Sequence, residues 1–313
     1  MTQERQEQLA DGSYEFLAIF LEGLPFIFLG TLVSGFLGTY LPRQAFDKIL
    51  PENKSLAIFI SGLLGAVFPV CECAVVPVIR RLIKNGLPVS CALAYMLAAP
   101  IFNPVTAIST YKAFNNSSEI AISRLAMGYM IAVFIALIVA RMAHNFFLKE
   151  SAKAEEGHEH RHPRNLNAAL NNSLRDLMDV GLYFCIGVVL TAILKTTVID
   201  PTDDFWKDLA KNSILGSIGM MCLAFVLSLC STSDAFIAAN FHNFKYGPKL
   251  AFMVFGPMMD AKLVFLYSTV FKWKFILFLF VAIFILTGAL SLLFETKILP
   301  AWMSQQTEIP LAQ

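Results

Sequence analysis

The stretch Phe68-Pro69-Val70-Cys71-Glu72-Cys73-Ala74-Val75-Val76-Pro77 interrupts an apolar segment in which Glu72 is the only charged residue from Leu56 to Ile79. Two prolines eight residues apart remove helix hydrogen bonds and disfavour α conformation in the residue before each of them. The pattern therefore predicts unwound backbone between Pro69 and Pro77. At membrane depth such backbone is tolerated only where protein buries it or where it lines a polar cavity.

The composition of the whole chain places this segment in a bilayer. The 313 residues are 57% hydrophobic and 15% charged, whereas soluble domains contain about 25% charged residues. Eight apolar segments reach or approach the roughly 20 residues that cross a bilayer as a helix. They are Tyr14–Leu41, Ser55–Lys84, Leu87–Ala113, Glu119–Phe147, Leu170–Thr196, Lys211–Phe241, Pro248–Phe271 and Lys274–Glu295. We expect an all-α polytopic membrane protein with about eight transmembrane helices. The net charge of +1 leaves no basic face for a nucleic-acid partner.

A constant offset relates the two halves of the chain. Cys230 lies 157 residues after Cys73, and the same offset joins five further pairs: Pro257 and Pro100, Gly187 and Gly30, Gly219 and Gly62, Asp179 and Glu22, and Asp260 and Asn103. We predict a first repeat in residues 1–147, a polar linker with His158, His160 and His162 in residues 148–169, a second repeat in residues 170–296 and a tail in residues 297–313. Internal repeats of this kind are the usual construction of a transporter.

The number of crossings decides how the repeats are oriented. Four spanning segments per half predict parallel repeats, and re-entrant hairpins in the broken middle segments would change that parity. The loop Arg80–Gly86 carries three cations and belongs in water, which favours spanning segments. With both termini and the linker inside, thirteen Lys and Arg residues lie on the cytoplasmic side and nine outside, so we predict cytoplasmic termini and linker.

Three other apolar segments are interrupted at corresponding places. The interruptions are Pro100-Ile101-Phe102-Asn103-Pro104 in the first half, and Cys230-Ser231-Thr232-Ser233-Asp234 and Gly256-Pro257-Met258-Met259-Asp260-Ala261-Lys262 in the second. Broken helices that recur in two repeats point to a transport site at the interface of the halves. The candidate substrate-binding residues are Cys71, Glu72, Cys73, Pro100, Asn103, Cys230, Ser231, Ser233, Asp234 and Asp260.

Three cysteines give this candidate site a chemical character. On an unwound turn the thiols of Cys71 and Cys73 reach one ion, and Cys230 supplies a third thiolate for a trigonal site that suits soft metals or trivalent metalloids. Glu72 and Asp234 would adjust the charge of the site or carry protons, and Asn103 and Asp260 would complete a polar shell. Asp260 and Lys262 could instead form a structural ion pair, and Glu22 and Asp179 are expected at the membrane interface. We expect no cofactor.

The stretches Phe68 to Leu82 and Leu97 to Pro104, with Leu229 to Phe236 and Leu250 to Asp260 in the second half, resemble a bacterial family of predicted permeases that includes the ArsP organoarsenical efflux permeases. The resemblance implies a permease of the inner membrane with the Cys-x-Cys turn as its signature. We therefore expect transport of a small thiophilic substrate, with efflux as the direction. Two alternatives remain: a membrane subunit of a larger complex or homo-oligomer, and an intramembrane enzyme with an Asp234–Asp260 dyad or a thiol pair.

Overall fold

The computed structural model describes residues 2–40, 51, 53–68, 70–142, 166–198, 209 and 212–298. Those residues form twelve α-helices, and a short π-helix, Phe294–Ile298, follows the last of them. The α-helices are α1 Thr2–Tyr40, α2 Lys54–Val67, α3 Glu72–Lys84, α4 Val89–Ala98, α5 Pro104–Ala113, α6 Ser118–Ala140, α7 Leu166–Val198, α8 Ser213–Leu227, α9 Ser233–Asn240, α10 Tyr246–Met258, α11 Ala261–Tyr267 and α12 Trp273–Leu293. The all-α membrane class is confirmed. The linker histidines lie outside the described residues.

All four predicted helix breaks are present, between α2 and α3, α4 and α5, α8 and α9, and α10 and α11. The first break is shorter than predicted, because α3 begins at Glu72 and continues through Pro77. The expectation of unwound backbone up to Pro77 is therefore wrong. Pro77 is the sixth residue of α3, where its missing N–H removes a single bond from the helix.

The first helices of the two halves run in opposite directions. Ser173 of α7 contacts the carbonyl of Leu32 near the end of α1, while Phe184, further along α7, stacks on Phe20 near the beginning of the apolar part of α1. Contacts that advance along one helix while retreating along the other define an antiparallel pair. The 157-residue offset thus relates helices of opposite orientation.

The second segment of each half turns back at its break. In the second half, Gly216 faces Pro248 and Gly256 faces Ala224, so α8 and α10 are parallel. A short turn joins α9 to α10, and its last residue, Lys245, donates to Ser213 at the start of α8. The helix α9 begins just after the end of α8 and therefore runs back toward the start of α8. It follows that α8 and α9 are antiparallel, and that they form a hairpin whose tip is the break at Ser228–Thr232.

The first half follows the same course. Gly65 of α2 packs on Ala99 at the end of α4, and Ser61 lies within hydrogen-bonding reach of Cys91 earlier in α4, so α2 and α4 are parallel. The turn at Asn85–Pro88 reverses the chain between α3 and α4. Hence α2 and α3 form a hairpin that enters and leaves on one side.

Within the described residues these helix directions give six segments that run from one side of the bundle to the other, so the expected count of eight spans is not confirmed. Five spans are long and apolar enough by length and composition: Phe16–Phe36, Ser118–Ala140, Ser173–Ile193, Tyr246–Tyr267 and Trp273–Ile298. The sixth is α4 followed by α5, which the break after Ala98 divides. The half-helices α2 and α3 have only 14 and 13 residues, about 20 Å each, and each is too short to cross the bilayer alone.

Three crossings per half put the first and last described helix ends on one side of the bundle, and the two helix ends that flank the linker on the other side. The start of α1 and the end of α12 lie on one side, here called the terminus side, and the end of α6 and the start of α7 lie on the other, the linker side. The expectation that termini and linker share the cytoplasmic side is not confirmed by these helix directions. The three cations that were expected in a loop, Arg80, Arg81 and Lys84, instead form the last part of α3 at the linker side, where Arg80 pairs with Asp179 at 3.1 Å.

Near the middle of the bilayer, four half-helices begin close to one another. From there α3 and α11 run to the linker side, and α5 and α9 run to the terminus side. The helices α4 and α10 are almost entirely buried. The first packs on α2, α3 and α6, and the second on α6, α8, α9 and α12. Because the N-terminus of a helix carries partial positive charge, this arrangement favours acidic side chains at the breaks.

Candidate functional site

The N-terminus of α3 carries the Cys-Glu-Cys motif. Cys71 is the N-cap residue with extended backbone, and it makes no side-chain capping bond. Glu72 is the first helical residue and is 2% exposed, and Cys73 is 3% exposed. The helix terminus stabilises the Glu72 carboxylate at a depth where an isolated charge would be costly.

Lys262 brings the second half of the chain to this motif. Its ammonium group, on the second residue of α11, donates to Glu72 Oε1 at 3.2 Å and to the carbonyl of Ser228 at 2.9 Å. Asp260 Oδ2 lies 3.6 Å away. The predicted Asp260–Lys262 pair is thus present, and Glu72 is a second partner that sequence spacing did not indicate.

A small cavity of about 20 Å³ lies beside these groups, between α1, α7 and the breaks. Its lining consists of Ile19, Glu22, Gly23, Phe26, Cys71, Glu72, Cys73, Phe184, Cys230 and Lys262. The volume holds about one water molecule. Glu72 Oε2 is buried without a hydrogen-bond partner, so it is an acceptor available to a molecule that enters the cavity.

The three predicted thiols therefore share one cavity. Cys71 and Cys230 are partly buried, Cys73 is buried, and all three are free thiols. Among the residues that the structure describes, however, no three His, Cys, Asp or Glu side chains are arranged to hold a metal ion. The trigonal thiolate site remains a prediction.

Asp234 belongs to a separate cluster on the terminus side. Arg124 of α6, fully buried, donates through Nη2 to both carboxylate oxygens of Asp234, at 2.9 and 2.8 Å. The guanidinium also donates to Thr110 Oγ1 at 2.8 Å and to the carbonyl of Ser231 at 2.9 Å. This cluster joins α5 and α6 of the first half to the start of α9 of the second half. It is thus a second contact between the halves, on the terminus side, whereas Glu72–Lys262 lies on the linker side.

Two candidate residues cap helices. Asn103 Oδ1 accepts from the N–H of Thr106 at 2.9 Å, and Asp260 Oδ1 accepts from the N–H of Leu263 at 2.7 Å. Asn103 also donates to the carbonyl of Ala99 at 2.8 Å. Positions related by the 157-residue offset thus perform the same N-cap task at the starts of α5 and α11.

The remaining candidates lie at the helix breaks outside the cavity. Pro100 accepts a bond from Thr106 Oγ1 through its carbonyl, Ser231 offers its carbonyl to Arg124, and Ser233 is the first residue of α9. Only Cys71, Glu72, Cys73 and Cys230 of the ten candidates line the cavity. Asp234 and Asp260 contact different cations, an arrangement unlike a dyad of two carboxylates that share a proton.

Sequence reasoning missed Arg124, and it did not indicate that Glu22 lines the cavity. Arg124 is the only charged residue between Glu119 and Arg141, and that isolation was the available signal for a buried role. Glu22 was expected at the membrane interface, yet it lines the cavity. Its counterpart Asp179 is 58% exposed and pairs with Arg80, so the two related acids have different surroundings.

Comparison with known proteins identifies the family. A family model described as ArsP_1, predicted permease, matches residues 14–296. A UPF0718 protein of Bacillus subtilis, YcgR, is 36% identical over 283 residues, which cover 88% of this chain and 94% of that protein. A putative two-component membrane permease complex subunit of Streptococcus mutans is 35% identical over 266 residues, which cover 84% of this chain and 87% of that protein. No solved structure matches significantly. The chain is therefore a multi-pass membrane protein and belongs to the ArsP_1 family of predicted permeases.

Proposed function

We propose that this permease moves a small thiophilic substrate through the cavity between α1, α7 and the starts of α3 and α11. The observation that carries the proposal is the meeting of Cys71, Cys73 and Cys230, from two distant parts of the chain, in one buried cavity. Soft metal and metalloid centres prefer thiol ligands to oxygen ligands. Glu72 and Lys262 supply polar contacts beside the thiols, and the cavity lies near the middle of the bilayer, where transporters bind their substrates.

Substitution of the thiols tests this function. We expect purified protein in vesicles to transport methylarsenite, a trivalent organoarsenical probe, and C73S/C230S to reduce its flux at least tenfold, because a hydroxyl is a poor ligand for a soft centre. The matched control is C91S/C222S, since neither of those cysteines lines the cavity. Equal flux in the wild type and C73S/C230S would remove the thiols from the mechanism.

The orientation that we propose has the linker side in the cytoplasm. Fourteen Lys and Arg residues lie in or beside connections on the linker side, and eight lie in or beside connections on the terminus side. The other two, Arg124 and Lys262, are buried. The linker-side residues are Arg43, Lys48, Lys54, Arg80, Arg81, Lys84, Arg141, Lys149, Lys153, Arg161, Arg164, Arg175, Lys272 and Lys274. By the positive-inside rule, both termini would then lie on the outer face of the cell membrane. Efflux, the proposed direction, predicts accumulation of methylarsenite by inside-out vesicles.

Membership of a larger complex is a second candidate function. It is favoured by the Streptococcus mutans relative, whose name describes a subunit of a two-component permease complex. We would expect a second polypeptide to co-purify in constant ratio with the protein from its native membrane under mild detergent. Transport by the purified single chain in vesicles would exclude an obligatory partner.

A further inference from the structure

Two glycines at matching positions hold α1 and α7 against half-helices. Gly30 and Gly187 are related by the 157-residue offset. A Cβ atom at Gly30 would lie 2.8 Å from the Ala74 carbonyl oxygen in α3, and one at Gly187 would lie 2.9 Å from the Lys262 Cα in α11. Small residues of this kind allow the close backbone approach that drives helix packing in membranes.

The two glycines correspond under the 157-residue offset, but the residues that they pack against, Ala74 and Lys262, do not. The counterpart of Ala74 in α3 is Ser231, at the start of α9, and the counterpart of Lys262 in α11 is Val105, in α5. The pair α1–α7 thus packs on α3 and α11, which form the linker-side half of the site. On the terminus side, Val105 remains 52% exposed and Phe236 of α9 50% exposed.

We propose that α1 and α7 move together between two packed positions, of which the structure shows one. In the second position each helix makes the contact that corresponds to the one its counterpart makes now. Gly30 then packs on Val105, and Gly187 packs beside Ser231. This inference rests on the proposed permease function and describes how its cavity opens. In the observed position α1–α7 closes the linker side, and in the second it closes the terminus side. Rigid-body movement of one bundle about a fixed site is the usual form of alternating access.

An ion pair holds the observed position at the linker side. Arg80 of α3 contacts Asp179 of α7 at 3.1 Å. Under the offset the corresponding pair is Ile237 of α9 and Glu22 of α1. In the second position Glu22 therefore lies beside Ile237, and that contact has no ion pair. The two positions are consequently distinguishable by which residues meet and by their response to charge reversal.

Cross-linking tests the second position directly. In a variant whose six cysteines are all serine, we would introduce R80C/D179C in one protein and E22C/I237C in another, and treat both with a short bifunctional thiol reagent. We expect both pairs to cross-link, each in part of the population. If R80C/D179C cross-links and E22C/I237C does not, the helices α1 and α7 are fixed and the proposal is wrong.

Charge reversal tests the exchange of access in the chain with native cysteines. D179R places two cations together, so we expect labelling of Cys71 by a membrane-impermeant maleimide added from the linker side to rise on the order of fivefold, the ratio that a surface ion pair is worth. The charge swap R80D/D179R restores the pair and should return labelling to the wild-type level. Unchanged labelling in D179R, or a rise that the swap does not reverse, contradicts the proposal.

Neither measurement requires a substrate. If methylarsenite is not transported but E22C/I237C cross-links, the proposed substrate is wrong and the movement of α1–α7 stands. If transport occurs and E22C/I237C never cross-links, the permease function stands and its movement is a different one.

Discussion

Arg124 shows how much one buried side chain can determine. Its guanidinium is completely buried and satisfies Asp234, Thr110 and the Ser231 carbonyl together. Only arginine offers a planar set of donors that can serve several acceptors at once. The residue therefore fixes the start of α9 against α5 and α6 in a region where water cannot replace a lost contact.

Removal of one partner of this ion pair should be strongly destabilising. We expect R124Q to cost about 3–5 kcal/mol, because it leaves the Asp234 carboxylate buried without its cation. The measurement is the free energy of unfolding in detergent, or the yield of folded protein where unfolding is irreversible. The double variant R124Q/D234N should lose less than the sum of the single variants. Additive losses would mean that the two side chains act independently.

The close approach at Gly30 makes a second prediction for a single residue. G30A places a methyl group against the backbone of α3, so we expect a lower melting temperature and weaker association of α1 with the rest of the protein. Gly181 of α7 is the matched control, because no atom would lie within 4 Å of its Cβ. G181A should be neutral or stabilise by up to about 1 kcal/mol through helix propensity. Equal effects of both substitutions would contradict the contact.

At the scale of helices, the breaks were predictable because proline and capping residues act locally. Pro100 and Pro104 place the interruption before α5, and Asn103 accepts the bond that caps it. The extent of the first break was not predictable, because a helix that is packed on its neighbours can continue through a proline. At this level α3 packs on α1, where Ser34 donates to the Pro77 carbonyl at 3.1 Å. Neither could local sequence reveal that α2 and α3 turn back.

The N-cap of α5 can be tested alone. N103A removes the side-chain acceptor for the Thr106 N–H, and we expect a loss of about 0.5–2 kcal/mol in the free energy of unfolding. N103S retains a hydroxyl acceptor and should lose less. Denaturation in detergent measures both. Transport lost in N103S with unchanged stability would instead indicate that Asn103 contacts the substrate.

For the whole molecule, the sequence predicted the membrane class and the meeting of three thiols, whereas the predicted number of crossings is not confirmed. Scarcity of charge marks every apolar segment alike, whether it spans or returns, since an apolar half-helix such as the 14-residue α2 resembles the first part of a span. Direction came only from long-range contacts such as those of Ser173 with Leu32. The thiols were predictable because helix breaks bring their flanking residues to one depth.

Six crossings make a prediction about accessibility. A tag attached before Met1 and one attached after Gln313 should be reached by a protease from the same side of sealed vesicles, and a tag inserted beside His158 from the opposite side. This outcome follows from three crossings per half. Eight spans would expose all three tags on one side, so a single vesicle preparation distinguishes the two topologies.

The two buried ion pairs that join the halves, Arg124–Asp234 and Glu72–Lys262, have a consequence for biosynthesis. Asp234 follows Arg124 by 110 residues, and Lys262 follows Glu72 by 190. A ribosome that has completed only the first half has therefore placed in the membrane an arginine and a glutamate whose partners do not yet exist. We expect residues 1–147 expressed alone to be degraded rapidly and to be rescued by simultaneous synthesis of residues 148–313. Each half would then act as the folding partner of the other.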